Sequence, residues 1–165
     1  MGREAEIAEA AESLLEREGP EALTMRRLAA ELGIQAPSLY KHVRSKGDIV
    51  AALQARALRG QAEALTDCRE LSALAAAYRA WALAHPRLYE LISRYTLDRS
   101  RLPEGLEDLA AAPLLAVVGY DQARARALWG LAHGLVDLEL AGRFPEGADV
   151  DAAWATAVEA FSVSA

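Results

Sequence analysis

Apolar residues recur every three or four positions through most of the chain, which is the period of an α-helix with one buried face. Residues 4–18 carry the first such stripe, and the Gly-Pro pair at 19–20 ends it. Residues 106–119 should be helical only in part, because Pro113 interrupts them. The other stripes predict helices over residues 48–66, 71–85, 88–96, 121–143 and 151–161. No stretch alternates as a strand does, so the pattern predicts an all-α fold.

Two short helices joined by a tight turn are predicted within residues 24–46. Thr24 suits the start of the first, because its hydroxyl can accept from a free backbone N–H of the first turn. Gly33 suits the left-handed conformation that ends a helix. Pro37 has no N–H to donate, so it belongs in the first turn of a second helix, which should reach Val43. This is the layout of a helix-turn-helix, which presents its second helix to the major groove of DNA.

The second helix of this hairpin has a polar face that packing does not require. Its hydroxyl, phenol, ammonium and imidazole groups can bond base edges and phosphates. Ser45 and Asp48 match the S-x-x-D pattern that caps a third helix. Lys46, in the first turn of that helix, adds an ammonium to free backbone N–H groups, as a phosphate clamp does. The polar face comprises Ser38, Tyr40, Lys41 and His42, with Gln35 and Ala36 at its start.

The run L-T-M-R-R-L-A-A-E-L-G-I-Q-A-P-S-L-Y-K-H-V-R-S-K resembles the DNA-binding domain of the tetracycline-repressor (TetR) family of bacterial transcription regulators. The resemblance covers roughly residues 7–53. Its recurring positions are matched by Thr24, Leu28, Ala29, Leu32, Gly33, Leu39, Tyr40, His42, Val43 and Lys46. It implies phosphate or groove contacts from Thr24, Arg26, Tyr40, His42 and Lys46. It implies base-edge contacts from Pro37, Ser38 and Lys41. Many members carry a polar residue where this chain has Ala36, so the resemblance implies one direct base contact fewer here.

The charge distribution favours DNA, although the net charge of the whole chain is −6. Residues 24–59 hold seven basic and two acidic residues, whereas the segments on either side are acidic. Positive charge is therefore concentrated around the predicted helix-turn-helix, residues 24–46, which we call the reading head. The start of the chain has no apolar signal region, no apolar run reaches the roughly 18 residues of a membrane span, and Cys68 is the single cysteine. We therefore expect a cytoplasmic protein without disulfides or a membrane partner.

A long helix over residues 121–143 carries Gly130 and Gly134 on one face, a smooth strip that permits close helix approach. The motif L-W-G-L-A-H-G-L resembles the WHG type of TetR-family C-terminal domain. The resemblance implies that the last two helices pair with their copies in a homodimer. We expect two domains, residues 1–47 for DNA binding and residues 48–165 for regulation and dimerisation. The predicted dimer contacts are Ala127, Gly130, Leu131, Gly134, Leu138, Trp154, Val158 and Phe161.

Six amphipathic side chains in the predicted second domain could form an apolar wall with polar handles, as a small-molecule pocket needs. They are Trp81, His85, Tyr89, Tyr95, Trp129 and His133. Aromatic residues at helical spacing are more often core, so the pocket competes with plain packing. In the TetR family this domain holds an effector that lowers DNA affinity. The family resemblance thus implies a repressor that a small molecule releases from a palindromic operator.

The sequence leaves two alternatives to a DNA-binding regulator. The first is a protein-interaction module that keeps the fold without binding DNA. The second is a metal-dependent enzyme built on His133 and Asp137, which share a helix face at i, i+4 as two ligands can. No zinc-protease, phosphate-loop or serine-elbow motif occurs, so we expect no catalytic residue, metal or cofactor.

Overall fold

The computed structural model describes residues 2–162, and within that range the chain is helical with no β-strand, as predicted. Two 3₁₀ turns, Pro20–Ala22 and Arg99–Arg101, join longer elements. The α-helices are α1 (Arg3–Glu18), α2 (Met25–Glu31), α3 (Ala36–Leu39), α4 (Lys46–Leu65), α5 (Leu71–Ala84), α6 (Pro86–Ser93), α7 (Leu106–Val117), α8 (Gln122–Leu140) and α9 (Val150–Ser162).

The chain folds into two compact units that do not coincide with the two predicted domains. Unit 1 comprises Met1–Leu58 and His85–Leu106, and unit 2 comprises Arg59–Ala84 and Glu107–Ala165. The helix α4 therefore contributes to both units, and α6 belongs with the DNA-binding segment. The sequence predicts a domain boundary at residue 47 because the helix-turn-helix pattern ends there. The pattern of one segment does not reveal which distant helix completes its core.

Unit 1 buries one apolar stripe from each of its longer helices. The side chains that are almost fully buried are Ile7, Leu14, Leu15, Leu28, Leu39, Leu53, Leu88, Tyr89 and Leu91. Each buried aliphatic or aromatic side chain of this size contributes roughly 1.5–3 kcal/mol of transfer free energy. Within this unit α1 packs against both α2 and α6, and α2 packs against α3.

Polar contacts hold α6 to this core at both ends. Glu16 of α1 accepts from the backbone N–H groups of Arg87 and Leu88, at 3.2 and 2.9 Å, and so caps the first turn of α6. At the other end the Gln54 amide donates to the carbonyl oxygen of Leu91 at 3.2 Å. A helix end without such partners would leave backbone groups unsatisfied. The sequence did not single out either contact, because each partner is more than thirty residues away.

Unit 2 packs α5 against α8 and α9, and packs α8 against α9. One of its apolar clusters comprises Leu71, Val118, Ala125 and Leu128, with Leu114, Leu115, Val117, Val158 and Phe161 packed against it. Arg79 of α5 joins the other two helices through Glu139 at 2.7 Å and Asp151 at 2.5 Å. These carboxylates raise the pKa of Arg79, so its charge is permanent.

The prediction that Pro113 interrupts a helix was wrong. The helix α7 runs through Pro113 without a break. Proline removes the hydrogen bond to the carbonyl four residues earlier, which belongs to Leu109. Leu109 is 53% exposed and Pro113 is half-buried, so this turn of α7 borders solvent, where water can replace a lost backbone partner. The helix therefore continues past this proline.

Candidate nucleic-acid interface

The first helix of the hairpin begins as predicted. The backbone N–H of Arg27 donates to Thr24 Oγ1 at 3.1 Å, so the hydroxyl caps α2 and keeps its own hydrogen for another acceptor. On the inner face Leu28 and Ala29 are buried, and Leu39 of α3 is fully buried as well. The small Ala29 side chain leaves room for the close approach of α2 and α3, which are in contact.

The turn between the two helices is a Schellman motif. Gly33 has φ +64, its N–H donates to Ala30 O at 3.1 Å, and the Ile34 N–H donates to Ala29 O at 2.9 Å. This pair of bonds satisfies two carbonyls at the end of α2 and needs a residue in the left-handed region, where glycine has no Cβ penalty. The predicted role of Gly33 is confirmed.

The second helix is shorter than predicted. Pro37 lies in its first turn, as expected, but the α-helical part ends at Leu39 and does not continue to Val43. Beyond it the Lys41 and His42 N–H groups bond three residues back, at 3.4 and 2.9 Å, in the tighter 3₁₀ manner. Helices commonly end in such a turn, and apolar spacing alone does not distinguish it from another turn of α-helix.

The polar face around α3 points to solvent. Gln35, Pro37, Lys41 and His42 are exposed, Tyr40 is 52% exposed, and Ala36 and Ser38 are half-buried. Among residues 2–162 no hydrogen bond or ion pair engages the side chains of Arg26, Lys41 or His42. Their donors therefore have no partner within the subunit, which is the state expected of groups that bind an external ligand.

The first turn of α4 forms the cap predicted for it, with one difference. The Asp48 N–H donates to Ser45 Oγ at 3.2 Å, and the Asp48 carboxylate accepts from Ser45 Oγ at 3.1 Å and from the Arg44 N–H at 3.0 Å. In the usual capping box that last donor is the cap residue itself. Partial desolvation acts to raise the pKa of Asp48, but the Ser45 and Arg44 hydrogen bonds outweigh it and the net pKa is lowered.

Lys46 stands exposed at the start of α4. Its Nζ reaches only the carbonyl oxygen of Pro20, at 3.5 Å, which is the outer limit of a hydrogen bond. The ammonium is thus neutralised by no carboxylate among the described residues. Arg26, Lys41 and Arg44 likewise take part in no ion pair in that part of the chain, so four cations remain available around α2, α3 and the start of α4.

Two other arginines near this surface are neutralised. Arg27 bonds Glu18 at 2.6 Å and Glu31 at 2.9 Å, and Arg17 bonds the same two carboxylates, each at 3.0 Å. The hydrogen bond from Arg27, with the one from Arg17, lowers the pKa of Glu18. This four-residue network ties α1 to α2.

Two family matches follow from comparison with known proteins. Residues 7–53 match the family described as "Bacterial regulatory proteins, tetR family", and residues 71–161 match "Tetracyclin repressor-like, C-terminal domain". The chain belongs to the TetR family. It is therefore a DNA-binding transcription regulator, and the resemblance predicted from residues 7–53 is confirmed. The narrower WHG type stays a prediction for this TetR-family chain.

Individual relatives agree with the family assignment. An uncharacterized HTH-type transcriptional regulator of Mycobacterium tuberculosis is 37% identical over 154 residues, which cover 82% of this chain and 69% of the relative. The HTH-type transcriptional repressor DrrR1 of Streptomyces coeruleorubidus is 43% identical over 53 residues, 32% of this chain and 20% of the relative. A TetR-family regulator from Streptomyces coelicolor has the same fold, with a TM-score of 0.76, 20% identity, and coverage of 98% of this chain and 81% of that one.

The six predicted pocket residues fall in different units. His85, Tyr89 and Tyr95 belong to unit 1, whereas Trp81, Trp129 and His133 belong to unit 2. Tyr89 and Trp81 are buried, at 2% and 9% exposure, while Tyr95 and Trp129 are 42% and 56% exposed. Trp81 has a local packing role, since its Nε1 would lie 3.2 Å from a Cβ at Gly60. The ligand contacts stay a prediction.

The predicted dimer residues divide into an exposed and an internal group. On α8, Ala127, Gly130, Leu131 and Leu138 are exposed and Gly134 is half-buried. Apart from the adjacent residues and the local helix backbone, no atom of residues 2–162 comes within 4 Å of a Cβ added at either glycine. On α9, Trp154 is 7% exposed and lies under Arg79, 5.8 Å from the guanidinium to the ring centre. Val158 and Phe161 are partly buried against the cluster of unit 2. The three α9 residues therefore pack within their own subunit.

Residues 2–162 hold no group of three or more His, Cys, Asp or Glu side chains arranged to bind a metal ion. His133 and Asp137 each have interactions within the chain. In the same range no helix has the length and apolarity needed to cross a bilayer.

Proposed function

We propose that this TetR-family regulator is a homodimeric repressor that binds a palindromic operator and leaves it when a small-molecule effector binds. The DNA contacts are assigned from one contrast in unit 1: some of its cations are paired with carboxylates, and others are exposed without such a partner. Arg17 and Arg27 are neutralised by Glu18 and Glu31, whereas Lys41 and Lys46 are exposed with no carboxylate partner among residues 2–162. An anionic ligand would compensate that charge, and duplex DNA is the anion that a helix-turn-helix fits.

The exposed residues divide into two roles. Side chains on and directly after α3, namely Pro37, Ser38 and Lys41, lie closest to base edges in a major groove. Thr24, Arg26, Tyr40, His42 and Lys46 flank them and bind phosphates or the groove, with the backbone N–H groups at the start of α4. Gln35 and Ala36 lie at the mouth of the groove. Half-sites one or more helical turns apart would be read by two copies of this surface.

The exposed face of α8 supports the homodimer. A helix keeps interior glycines at a cost of roughly 1 kcal/mol each relative to alanine, and here a Cβ at Gly130 or Gly134 would meet no other helix of the described residues. Leu131 and Leu138 beside them are 38% and 44% exposed. A two-fold contact between two copies of α8 would bury these side chains and use the glycines for close approach. The internal residues of α9 hold that helix beside α8.

The effector would act by population shift. A ligand that binds unit 2 better in one dimer geometry stabilises that geometry, and DNA affinity falls if the two reading heads then no longer fit successive grooves. The repressor name of the Streptomyces coeruleorubidus relative supports repression as the outcome. A regulator of this kind acts in the cytoplasm, where it meets the chromosome.

The test is selection of genomic fragments by the purified protein, with a Tyr40→Ala, Lys41→Ala double variant as the matched control and two salt concentrations. We expect a two-fold-symmetric motif that the variant loses. Binding that is salt-sensitive but without a motif would leave only phosphate contacts. No binding at low salt would contradict the assignment of this surface to DNA and would favour the alternative, a protein-interaction module that keeps the fold.

A further inference from the structure

A short turn outside the helix-turn-helix reaches the first turn of α4. The 3₁₀ turn Arg99–Arg101 is capped by Asp98, whose Oδ1 accepts from the Ser100 N–H at 3.2 Å and from Ser100 Oγ at 2.6 Å. The other oxygen of Asp98 accepts from Arg101 Nε at 2.8 Å. Asp98 thus shapes the turn and also orients the guanidinium that ends it.

Arg101 also reaches α4 through Nη1. This nitrogen donates to Oδ1 of Asp48 and would lie 3.3 Å from a Cβ at Gly47. The guanidinium therefore lies close to the backbone of the first turn, where glycine leaves it room without adjustment. Asp48 belongs to the segment matched by the DNA-binding family description, and Arg101 belongs to the segment matched by the C-terminal description.

The Asp48 carboxylate is the junction of this arrangement. One oxygen accepts from Ser45 Oγ and from the Arg44 N–H, and the other accepts from Arg101. With Arg101 in place, the carboxylate is held on both sides. The same carboxylate belongs to the cap of the turn that begins with Lys46 and presents the free backbone N–H groups of α4.

Arg101 forms ion pairs with two carboxylates of the protein, those of Asp48 and Asp98. A guanidinium at the positive end of a helix is unfavourable unless an anion lies between them, and here Asp48 does so. Asp98 takes a second donor of the same group. Arg101 is thus arranged to hold α4 in place, unlike Lys46, whose ammonium has no carboxylate partner among the described residues.

We propose that Arg101 is a positioning residue for DNA binding, which holds Asp48 and so keeps the first turn of α4 and Lys46 in the geometry that meets a phosphate. The inference rests on the proposed function, because it requires that Lys46 contact the DNA backbone. It assigns part of the DNA-binding geometry to a residue that lies more than forty positions beyond the helix-turn-helix.

The experiment measures binding of the full-length protein to mixed-sequence duplex DNA over a range of salt concentrations, which requires no knowledge of the operator. The variants are Arg101→Ala and Arg101→Lys, each alone and with Asp48→Asn. Lys46→Ala reports on the phosphate contact itself. Arg99→Ala removes a positive charge from the same turn and is the matched control. Thermal unfolding of each variant checks that it is folded at the assay temperature.

We expect Arg101→Ala to weaken binding about two- to fivefold, the range of an exposed ion pair, with the slope of log affinity against log salt unchanged. In the Asp48→Asn background the same substitution should have no further effect, because its partner is already lost. Arg101→Lys should restore part of the affinity, and Arg99→Ala should have a smaller effect than Arg101→Ala.

Three results would overturn the inference. Equal losses for Arg99→Ala and Arg101→Ala would reduce the effect to general electrostatics. A slope lower by about one unit in both backgrounds would make Arg101 itself a phosphate ligand. Unchanged affinity would leave it without a role in binding. If Lys46→Ala changes neither affinity nor slope, the proposed phosphate contact fails, and that outcome is distinct from failure of Arg101 alone.

Discussion

The side-chain amide of Gln54 in α4 donates to the carbonyl oxygen of Leu91 in α6, and both residues are at most 2% exposed. The same nitrogen also donates to the carbonyl oxygen of Thr96 at 3.2 Å. A buried amide costs free energy unless its partners are present, so this contact is specific to one register of α4 against α6. It ties the last turn of α6 to α4, the helix that begins directly after the helix-turn-helix.

Replacing Gln54 by leucine should destabilise the protein by about 1–3 kcal/mol, because a side chain of similar size would leave the buried Leu91 carbonyl without a donor. Urea unfolding followed by circular dichroism measures the change. Gln61→Leu is the matched control, since Gln61 lies on the same helix, is 8% exposed, and makes no side-chain hydrogen bond among residues 2–162. An equal loss in both variants would show that helix propensity or packing causes the effect.

Neutralising Glu18 should make stability less dependent on pH in acid. The hydrogen bonds from Arg27 and Arg17 lower the pKa of Glu18 in the folded state. A carboxylate with a lowered pKa contributes stability above its unfolded pKa of about 4.3, and the contribution is lost as the pH falls through the folded pKa. Glu18→Gln should therefore be less stable than the native chain at pH 7, with the gap closing below about pH 4. Glu21→Gln, outside the network, should show no such closing gap.

The two predicted roles of the DNA surface should separate by sequence dependence. Lys46→Ala should weaken binding to all duplexes alike and flatten the salt slope by about one unit. Lys41→Ala or Ser38→Ala should also change which base pairs are preferred, with about 1–3 kcal/mol of discrimination lost at one position. Binding to a set of single-base operator variants measures both effects. Identical profiles for Lys41→Ala and Lys46→Ala would contradict the division of roles.

Enlarging Gly134 should weaken subunit association without harming the subunit fold. A Cβ at this position meets no atom of residues 2–162 beyond the local helix backbone, so a side chain can leave the helix here. Replacing glycine by leucine also improves helix propensity by up to about 1 kcal/mol. A leucine would prevent close approach of a second α8. Ala76→Leu, at an exposed position on α5, is the control. Analytical ultracentrifugation should give a larger dimer dissociation constant for Gly134→Leu than for Ala76→Leu. An unchanged dimer would place the two-fold contact elsewhere.

Local rules predicted the reading head well. Thr24, Gly33 and Pro37 each have a conformational role that one residue type fills best, and each takes that role in the structure. Residue spacing predicted the helices but not the end of α3 at Leu39, because 3₁₀ and α turns share nearly the same apolar period. Pro113 was misleading because the cost of a missing hydrogen bond depends on solvent exposure, which the sequence does not show.

The long-range contacts could not be predicted in the same way. Glu16, Gln54 and Arg101 have no local signature, since a glutamate, a glutamine and an arginine on helical chains usually lie in solvent. Their roles depend on which element packs opposite them. The pairing of Arg27 with Glu18 is also tertiary, so the charge count around the reading head overstated the number of available cations.

Unit 1 is assembled from two stretches of chain, so we expect a single crossover to transfer its DNA-binding surface without part of the core and capping contacts beneath it. A hybrid that took only residues 1–47 from this protein would bring Glu16 without the backbone it caps on α6, and would leave Gln54 and the Arg101 turn to the recipient. A functional chimera of two such regulators should therefore exchange residues 1–58 and 85–106 together. Recombination between two such genes should give a folded DNA-binding unit only when both stretches come from the same gene.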